Sequence, residues 1–406
     1  MPRSLAIEGG PPVRTAPMPR WPSPGDDEVA AVTEVLRSGR LNYWTGTEGR
    51  SLEHEYADAL GRAHAVAVAN GTLALELALR SFGIGPGDEV VVPSRTFIAT
   101  ASAVVAVGAK PVLADVDRDS GLLTRSTFGA ALTDRTSAVI PVHVGGWPVE
   151  MGPIVDLASE RSLVVIEDAA QAHGASVDGV PVGSLNSHAA AFSFCQDKII
   201  PVGDGGILAL DDENAYTRAW EYKDHGKSLS KLADPGFMTA SPSFTWLHDS
   251  FGSNLRLDEM SAAVARLGLD KLPTWHAART RNATYLAEAL RGTPGLRVPW
   301  PRSGVEHGFY RLYAYVEPAA LVPGWDRDAI LRAIVAEGVL CQYGTCAELY
   351  REAAFSNAGL DPMERLPVAS ELHETSLAFY VHPTLGPADM EDTAAAVRKV
   401  MDAAIA

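Results

Sequence analysis

An α/β fold in two lobes is what the sequence predicts, and three observations carry that expectation. Between residues 53 and 210 short β-type runs alternate with helical segments, the beat of βαβ units. The strand runs, such as "DEVVVPS" and "SLVVIEDAA", are continuously apolar rather than alternating, which suits a mostly parallel sheet covered on both faces. The 406 residues, 47% of them apolar, suffice to bury a large core and divide into two lobes.

Residues 1–25 read as an arm lying over a surface, because prolines and glycines fill the stretch and no apolar signal-peptide core is present. Residues 26–265 form the large domain. In it "AHAVAVAN" is a strand, "TLALELALRSFG" a helix, "DEVVVPS" a strand, "FIATASAVVAVGA" a helix and "KPVLADVD" a strand. "TSAVIPVHV", a helix near "PIVDLASERS" and "SLVVIEDAA" continue the beat, and "HAAAFSF" followed by "GGILALDD" suggests a tight return at a mixed edge. A helix near 213–224 and an irregular stretch to about 250 precede a long helical region from "LDEMSAAVARLGLDKLPTW". Residues 266–406 form a smaller α+β domain, with β-rich "FYRLYAYVEP", helix "RDAILRAIVAEG" and a last helix running to the C-terminus.

Several function classes are excluded. The net charge is −16 and the basic residues are scattered, so no face offers nucleic acid the clustered cations it needs. No run approaches the roughly 18 uninterrupted apolar residues of a membrane span. Cys195, Cys341 and Cys346 are odd in number and lack paired metal spacing, which suits a reducing cytoplasm rather than a disulfide framework or a metal site; Cys195 reads as a small buried filler. "GIGPGD" at 83–88 follows a helix and precedes a strand, the reverse of a dinucleotide loop. "HGKS" at 225–228 ends like a P-loop, but Glu221 stands where the first glycine belongs.

Three positions remain. "VANGTLAL" runs strand, Asn70-Gly71-Thr72, helix, so free amides and the Thr72 hydroxyl make an anion site for one phosphate, or else an ordinary capped turn. "SLVVIEDAAQAHG" ends a buried strand in Glu167 and Asp168, where an acid faces a ligand or caps a helix. Lys198, in "FSFCQDKIIPVGDGG", follows a later strand and precedes Gly203, Gly205 and Gly206; alone it reads as a solvated turn lysine. Together they supply the fixed points that hold pyridoxal phosphate: a phosphate cradle, a carboxylate for the ring nitrogen, and a Schiff-base lysine.

The chain resembles the DegT/StrS sugar aminotransferases, a branch of the fold type I, aspartate aminotransferase-like, pyridoxal phosphate enzymes. "NGTLALELAL", "GDEVVVPSRTFIATASAV", "GAKPVLADVD", "IPVHVGG", "IEDAAQAHGA", "FSFCQDKIIPVGDGG" and "FGSNLRLDEMSAAVA" carry the resemblance across nearly the whole chain. It implies a seven-stranded, mostly parallel sheet in the large domain. It further implies that Lys198 forms the Schiff base, Asp168 pairs with the pyridine nitrogen, and Gln171 reaches the phenolic oxygen. Gly71, Thr72 and Ser193 would bind phosphate and Phe97 would stack on the ring. Asn254 would reach the phosphate of a neighbouring subunit, making a homodimer with shared sites. Arg256 would contact a substrate carboxylate or support the interface.

Because relatives that dehydrate replace the lysine with histidine, Lys198 favours transamination over a dehydratase or isomerase; retention of Lys198 and Asp168 also argues against a non-enzymatic regulator. The resemblance implies glutamate or glutamine as donor. For the acceptor, "SFCQDKI" and "YKDHGKS" look like the subgroup acting on nucleotide-linked keto-deoxysugars, first a dTDP-4-keto-6-deoxyhexose aminated at C4. "NYWTGTEG" instead resembles the N-terminal loop of ketocyclitol aminotransferases, which would set Tyr43 and Trp44 at the substrate; surface packing is an equal reading of the two. His225 and Lys227 are candidate diphosphate contacts, and Arg311 stands where many relatives carry histidine. Abundant alanine and arginine suit a GC-rich bacterial source and antibiotic or surface-sugar biosynthesis.

Overall fold

The computed structural model describes residues 4–240, 245–360 and 364–405. The first three residues of the expected arm, residues 241–244 of the irregular stretch and the last residue of the final helix lie outside the described residues.

The large sheet has seven strands: β1 (His64–Val68), β2 (Glu89–Pro93), β3 (Lys110–Ala114), β4 (Thr136–Val139), β5 (Val164–Asp168), β6 (Ala189–Ser193) and β7 (Gly206–Leu210). Their spatial order is β1-β7-β6-β5-β4-β2-β3. The pairs from β6 through to β3 are parallel, whereas β7 is antiparallel to both β6 and β1. The return expected after "HAAAFSF" therefore exists, but it is not the edge: β1 pairs along the outer side of β7 and covers it. Period-two alternation serves two cores. Ala189 and Ala191 face the core that contains the helix Gly71–Ser81, while Ala190 and Phe192 face the opposite one. Small side chains on β6 let that helix lie close over the sheet centre, which explains why Ala74, Leu77 and Ala78 are fully buried.

Where an irregular stretch was expected before residue 250, two short helices occur, Leu229–Ala233 and Pro235–Ala240. The long helix Glu259–Leu290 starts where the Asp258 carboxylate accepts from the Met260 and Ser261 amides, both at 3.0 Å. It runs unbroken through residue 265, so the two lobes share one helix. The smaller lobe carries an antiparallel four-stranded sheet in the order Leu296–Arg297, Leu312–Val316, Ser376–Phe379, Cys341–Gln342. Along Leu312–Val316, Leu312, Ala314 and Val316 enter the small-lobe core while Tyr313 and Tyr315 enter that of the large lobe. One strand thus belongs to both cores.

The arm docks on the small lobe. The fully buried Glu337 carboxylate accepts from the amides of Ala6 at 2.9 Å and Val13 at 3.0 Å, and from Lys399 at 2.8 Å. No helix among the described residues is long and apolar enough to cross a membrane.

The tightest joint lies at the start of β7. A Cβ added at Gly206 would lie 2.4 Å from the Asn70 carbonyl carbon and 2.6 Å from the Gly71 nitrogen, so backbone itself would have to move. Gly206→Ala is expected to lower stability by about 1–3 kcal/mol, read from the urea midpoint. Gly152→Ala, at a helical position with nothing within 4 Å of the new Cβ, should instead raise it by roughly 0.5–1 kcal/mol.

Candidate active site

At the end of β1 the chain turns through Asn70, whose extended backbone (φ −167°) and side chain, accepting from the Leu73 amide at 2.9 Å, cap the helix Gly71–Ser81. That cap leaves the Gly71 and Thr72 amides at an open helix start, with the positive end of the helix dipole behind them. Ser193, the last residue of β6, closes the other side: a Cβ at Gly71 would fall 2.7 Å from the Ser193 Cβ. Gly71, Thr72 and Ser193 are therefore one small anion cradle, held together by the insertion of β7 between their strands.

β5 delivers two acids to opposite faces. Glu167 points into the fold, fully buried, and accepts from His143 Nε2 at 3.0 Å, the Gly183 amide at 2.9 Å and Ser187 Oγ at 2.5 Å. Burial pushes its pKa up, but these donors, His143 foremost, hold it below the ordinary carboxylate value. The His143 donor is its Nε2–H, since Nδ1 accepts the Val149 amide at 2.9 Å. Asp168 points to the ligand side with fewer donors: Thr100 Oγ1 at 2.7 Å and the Ala170 amide at 3.2 Å. Thr96 in turn lies 2.7 Å from the Thr100 hydroxyl. Here burial prevails and raises the Asp168 pKa, with Thr100, Ala170 and the Lys198 charge acting against it. The carboxylate is short of positive charge.

Lys198 belongs to the segment that joins β6 to β7. The segment is fastened by Phe194 N–H to Gly205 O at 2.8 Å and Val202 N–H to Phe194 O at 2.9 Å, and Gly203 supplies a left-handed turn (φ +101°). The Trp21 indole of the arm donates to the Lys198 carbonyl at 2.9 Å. Its half-buried amine lies 4.8 Å from the centre of the Tyr310 ring. Tyr310 donates to Asp197, and Arg311 stacks between the rings of Tyr310 (4.1 Å) and Tyr380 (4.0 Å). Gln171, buried three residues past β5's end, accepts from the Gly145 amide at 2.7 Å. Phe97 stands at the entry of the helix Ala99–Ala106, one turn before Thr100 and 65% exposed. Lys198, Asp168 and Arg311 are thus brought to one region, and the cradle lies at neighbouring strand ends. The sequence reading missed Thr96, Thr100, Trp21, Tyr310 and Tyr380. Only Thr100, three residues past Phe97 at a helix start, and Tyr310, beside Arg311, carried any signal.

Other expected contacts gather elsewhere. Tyr43 is 3% exposed; its hydroxyl donates to Glu53 at 2.8 Å and accepts from Trp220 at 3.2 Å, with Lys223 Nζ 3.9 Å over its ring. That is the geometry of packing, not of a substrate contact within this chain. Trp44 lies against Lys227, whose amine is 4.1 Å from the indole ring centre and 2.8 Å from Asp224. Arg256 reaches the same Asp224 oxygen at 2.6 Å. His225, exposed with a left-handed backbone, gives its amide to the Ser253 carbonyl at 2.8 Å. Exposed Asn254 bridges Asp224, and the next residue, Leu255, accepts from the Ala69 amide at 2.8 Å. Arg256 is therefore fixed in an ion pair beside the end of β1.

The residues fit pyridoxal phosphate. A cradle of helix-start amides and a hydroxyl suits a phosphate, an under-neutralised buried carboxylate suits a protonated ring nitrogen, and a half-buried amine whose charge is felt by that carboxylate suits a carbonyl carbon. A family model described as the DegT/DnrJ/EryC1/StrS aminotransferase family matches residues 22–398. A UDP-N-acetyl-3-dehydro-alpha-D-glucosamine 3-aminotransferase from Acidithiobacillus ferrooxidans is 36% identical, over 93% of this chain and 94% of its own. The L-glutamine:2-deoxy-scyllo-inosose aminotransferase of Streptomyces kanamyceticus is 33% identical, over 98% and 96%. An aminotransferase structure from Psychrobacter cryohalolentis superposes with a TM-score of 0.92 at 44% identity, covering 96% of this chain and all of the other.

A buried acid whose pKa is raised binds its proton more tightly folded than unfolded, so it lowers stability as pH rises from the ordinary 3.8 through the raised value. Asp168→Asn should therefore unfold at a higher temperature than the parent at pH 7 when both are cofactor-free, and the gap should close as pH falls toward 3.8. The same variant should lose at least about 100-fold in turnover.

Proposed function

The chain belongs to the DegT/DnrJ/EryC1/StrS aminotransferase family, and from that membership we propose that Lys198 is the residue that binds the cofactor covalently and moves the proton at the donor's α-carbon. The protein is a sugar or ketocyclitol aminotransferase, and its cofactor is pyridoxal phosphate. The observation that carries the assignment is the junction of β5, β6 and β7, whose ends bring Asp168, the Ser193 cradle and the Lys198 segment to one side of the sheet.

When bound, the cofactor supplies a carbonyl carbon that accepts an amino group and a ring that accepts electron density. Gly71, Thr72 and Ser193 hold its phosphate, and Asp168 holds the proton on its ring nitrogen, so negative charge developing at the reacting carbon is drawn away from it. Thr100 keeps Asp168 ionised and Thr96 orients the Thr100 hydroxyl. Gln171, fixed by the Gly145 amide, and the exposed Phe97 would help to hold the ring, the latter by stacking. The Lys198 amine would be the general base and acid at the donor's α-carbon.

For the acceptor we favour a keto group on a nucleotide-linked sugar, with a ketocyclitol second. The relative acting on a UDP-linked 3-keto sugar supports the first and the inosose relative supports the other; glutamine is the donor named for the latter. The dTDP-4-keto-6-deoxyhexose remains one candidate among such sugars. Two copies sharing sites through Asn254 would complete the phosphate cradle.

Purified protein should show the visible absorbance of a lysine-bound cofactor, and Lys198→Ala should lose that band along with roughly 10²–10⁴-fold of its turnover. A band unchanged in that variant would remove Lys198 from the role. Incubation with glutamate or glutamine and, in turn, a UDP-3-keto sugar, a dTDP-4-keto-6-deoxyhexose and scyllo-inosose, with products read by mass and NMR, identifies the acceptor. Amination of none of the three would refute the acceptor class.

A further inference from the structure

Lys198 closes a tight turn, its amide donating to the Cys195 carbonyl at 3.0 Å, and Gln196 and Asp197 on that turn are exposed. Its carbonyl is held from elsewhere. The indole N–H of Trp21, in the arm, donates to it at 2.9 Å. The indole is itself wedged: Trp275 of the long helix meets it edge-on at 5.1 Å, and His382 of the small lobe stacks on it at 6.2 Å, 19° from parallel. The fully buried Arg279 guanidinium lies 5.2 Å from the indole ring centre and donates to the Phe309 carbonyl at 3.1 Å. Among the described residues its Nε and Nη2 have no hydrogen-bond partner, and the indole face lies within cation–π reach of the charge. The arm is fastened behind this ring as well. One residue back, the Arg20 carbonyl accepts from Thr384 Oγ1 at 2.9 Å, and near the start of the arm Leu5 is packed in the small-lobe core.

We propose that Trp21 is a positioning residue for Lys198, and that the arm is the strap that sets the direction in which the lysine side chain leaves its turn. The Lys198 amide is fixed by Cys195 and its carbonyl by Trp21. Both peptide planes that meet at the α-carbon are therefore set, and the Cα–Cβ direction follows from them. Packing alone does not account for the arrangement. A phenyl ring would also fill the wedge between Trp275 and His382, whereas the contact with the lysine segment needs the indole N–H. A bond to the main chain has a further property: it holds the backbone and leaves the amine free to move. For its catalytic consequence the inference rests on the reading of Lys198 as the cofactor-bound lysine; for the strap itself it does not.

Hydrogen–deuterium exchange read by mass spectrometry, on the full chain stripped of cofactor, tests the strap without recourse to turnover. Trp21→Phe keeps a ring against Trp275 and removes the donor. The amides of residues 195–203 should then exchange about fivefold faster, while those of residues 5–20 and of the strand Leu312–Val316 keep their rates. Thr384→Val, which frees the Arg20 carbonyl from a partly exposed position, should quicken the same amides about twofold. Unchanged rates at 195–203 in Trp21→Phe, or a rise shared equally by the arm and the small-lobe strand, would make Trp21 a packing residue and overturn the proposal. Should Trp21→Phe fail to fold, Thr384→Val decides alone, and unchanged rates at 195–203 overturn it. In the cofactor-loaded enzyme Trp21→Phe should lower kcat about fivefold or more, with the KM for the amino donor within about twofold of the parent; an unchanged kcat, or a loss confined to KM, also overturns it. The two readings fail separately. A visible band that survives Lys198→Ala removes the lysine from the cofactor, whereas exchange in the stripped protein judges the strap by itself.

Discussion

Backbone meeting backbone, where Gly206 touches Asn70 and Gly71, is the constraint on which the rest of the site depends. A reversed strand can enter a parallel sheet only if its first residue clears the turn that ends its neighbour, and here the clearance leaves no room for a side chain. The consequence reaches in three directions. β1 is set as the edge, Ser193 is pressed against Gly71, and the twelve residues between β6 and β7 are obliged to loop out over the strand ends. Lys198 rides on that loop. Cradle and lysine are thus positioned by one packing contact rather than by separate devices.

Electrostatics divides the work at the end of β5. Adjacent acids on a strand face opposite ways, and the protein treats them oppositely. Glu167 receives a complete set of donors and joins the fold, tying the His143 loop to the turn at Gly183. Asp168 receives two donors and remains in want of a cation. Such a charge is a burden to the empty fold and an asset once a positively charged ring lies against it, which is the usual arrangement where stability is exchanged for function. Neutral His173 fits this economy of charge: its Nε2–H gives to the Ser193 carbonyl at 2.9 Å and Nδ1 accepts from Tyr56 at 2.8 Å. It steadies the cradle without adding charge.

The sequence made the large lobe readable because βα units announce themselves through continuous apolar runs and capped turns; β1 to β5 and the Gly71 helix fall where those patterns put them. Asp168 stands at a strand end, as its place after a continuous apolar run implies, while Lys198 lies five residues beyond the end of β6, on the loop to β7. The interior place of β7 was not legible, since a hairpin signal says two strands return and says nothing of a third pairing outside. The sequence left Tyr43 open between substrate contact and packing, because an aromatic in such a loop looks the same whether it faces solvent or, as here, is drawn under Lys223 and Glu53. Lys227 reads from sequence as a diphosphate contact and Arg256 as a carboxylate contact or an interface support; in the fold the buried Asp224 pairs with both. Contacts made far along the chain, such as that of Trp21 with Lys198 across 177 residues, leave no local trace at all.

That last contact bears on how the two lobes share the chemistry. The lysine segment comes from the large lobe, yet its amine faces Tyr310 of the small lobe and its backbone is held by the arm, which is itself anchored through Glu337 to the small lobe. Asp168, Thr100, Gln171 and the pair formed by Gly71 and Ser193 all lie in the large lobe. On the other side of the lysine stand Tyr310, Arg311 and Tyr380 of the small lobe and Trp21 of the arm. The strand Leu312–Val316, which enters both cores, and the helix Glu259–Leu290, which runs through both lobes, join the two walls on either side of the lysine.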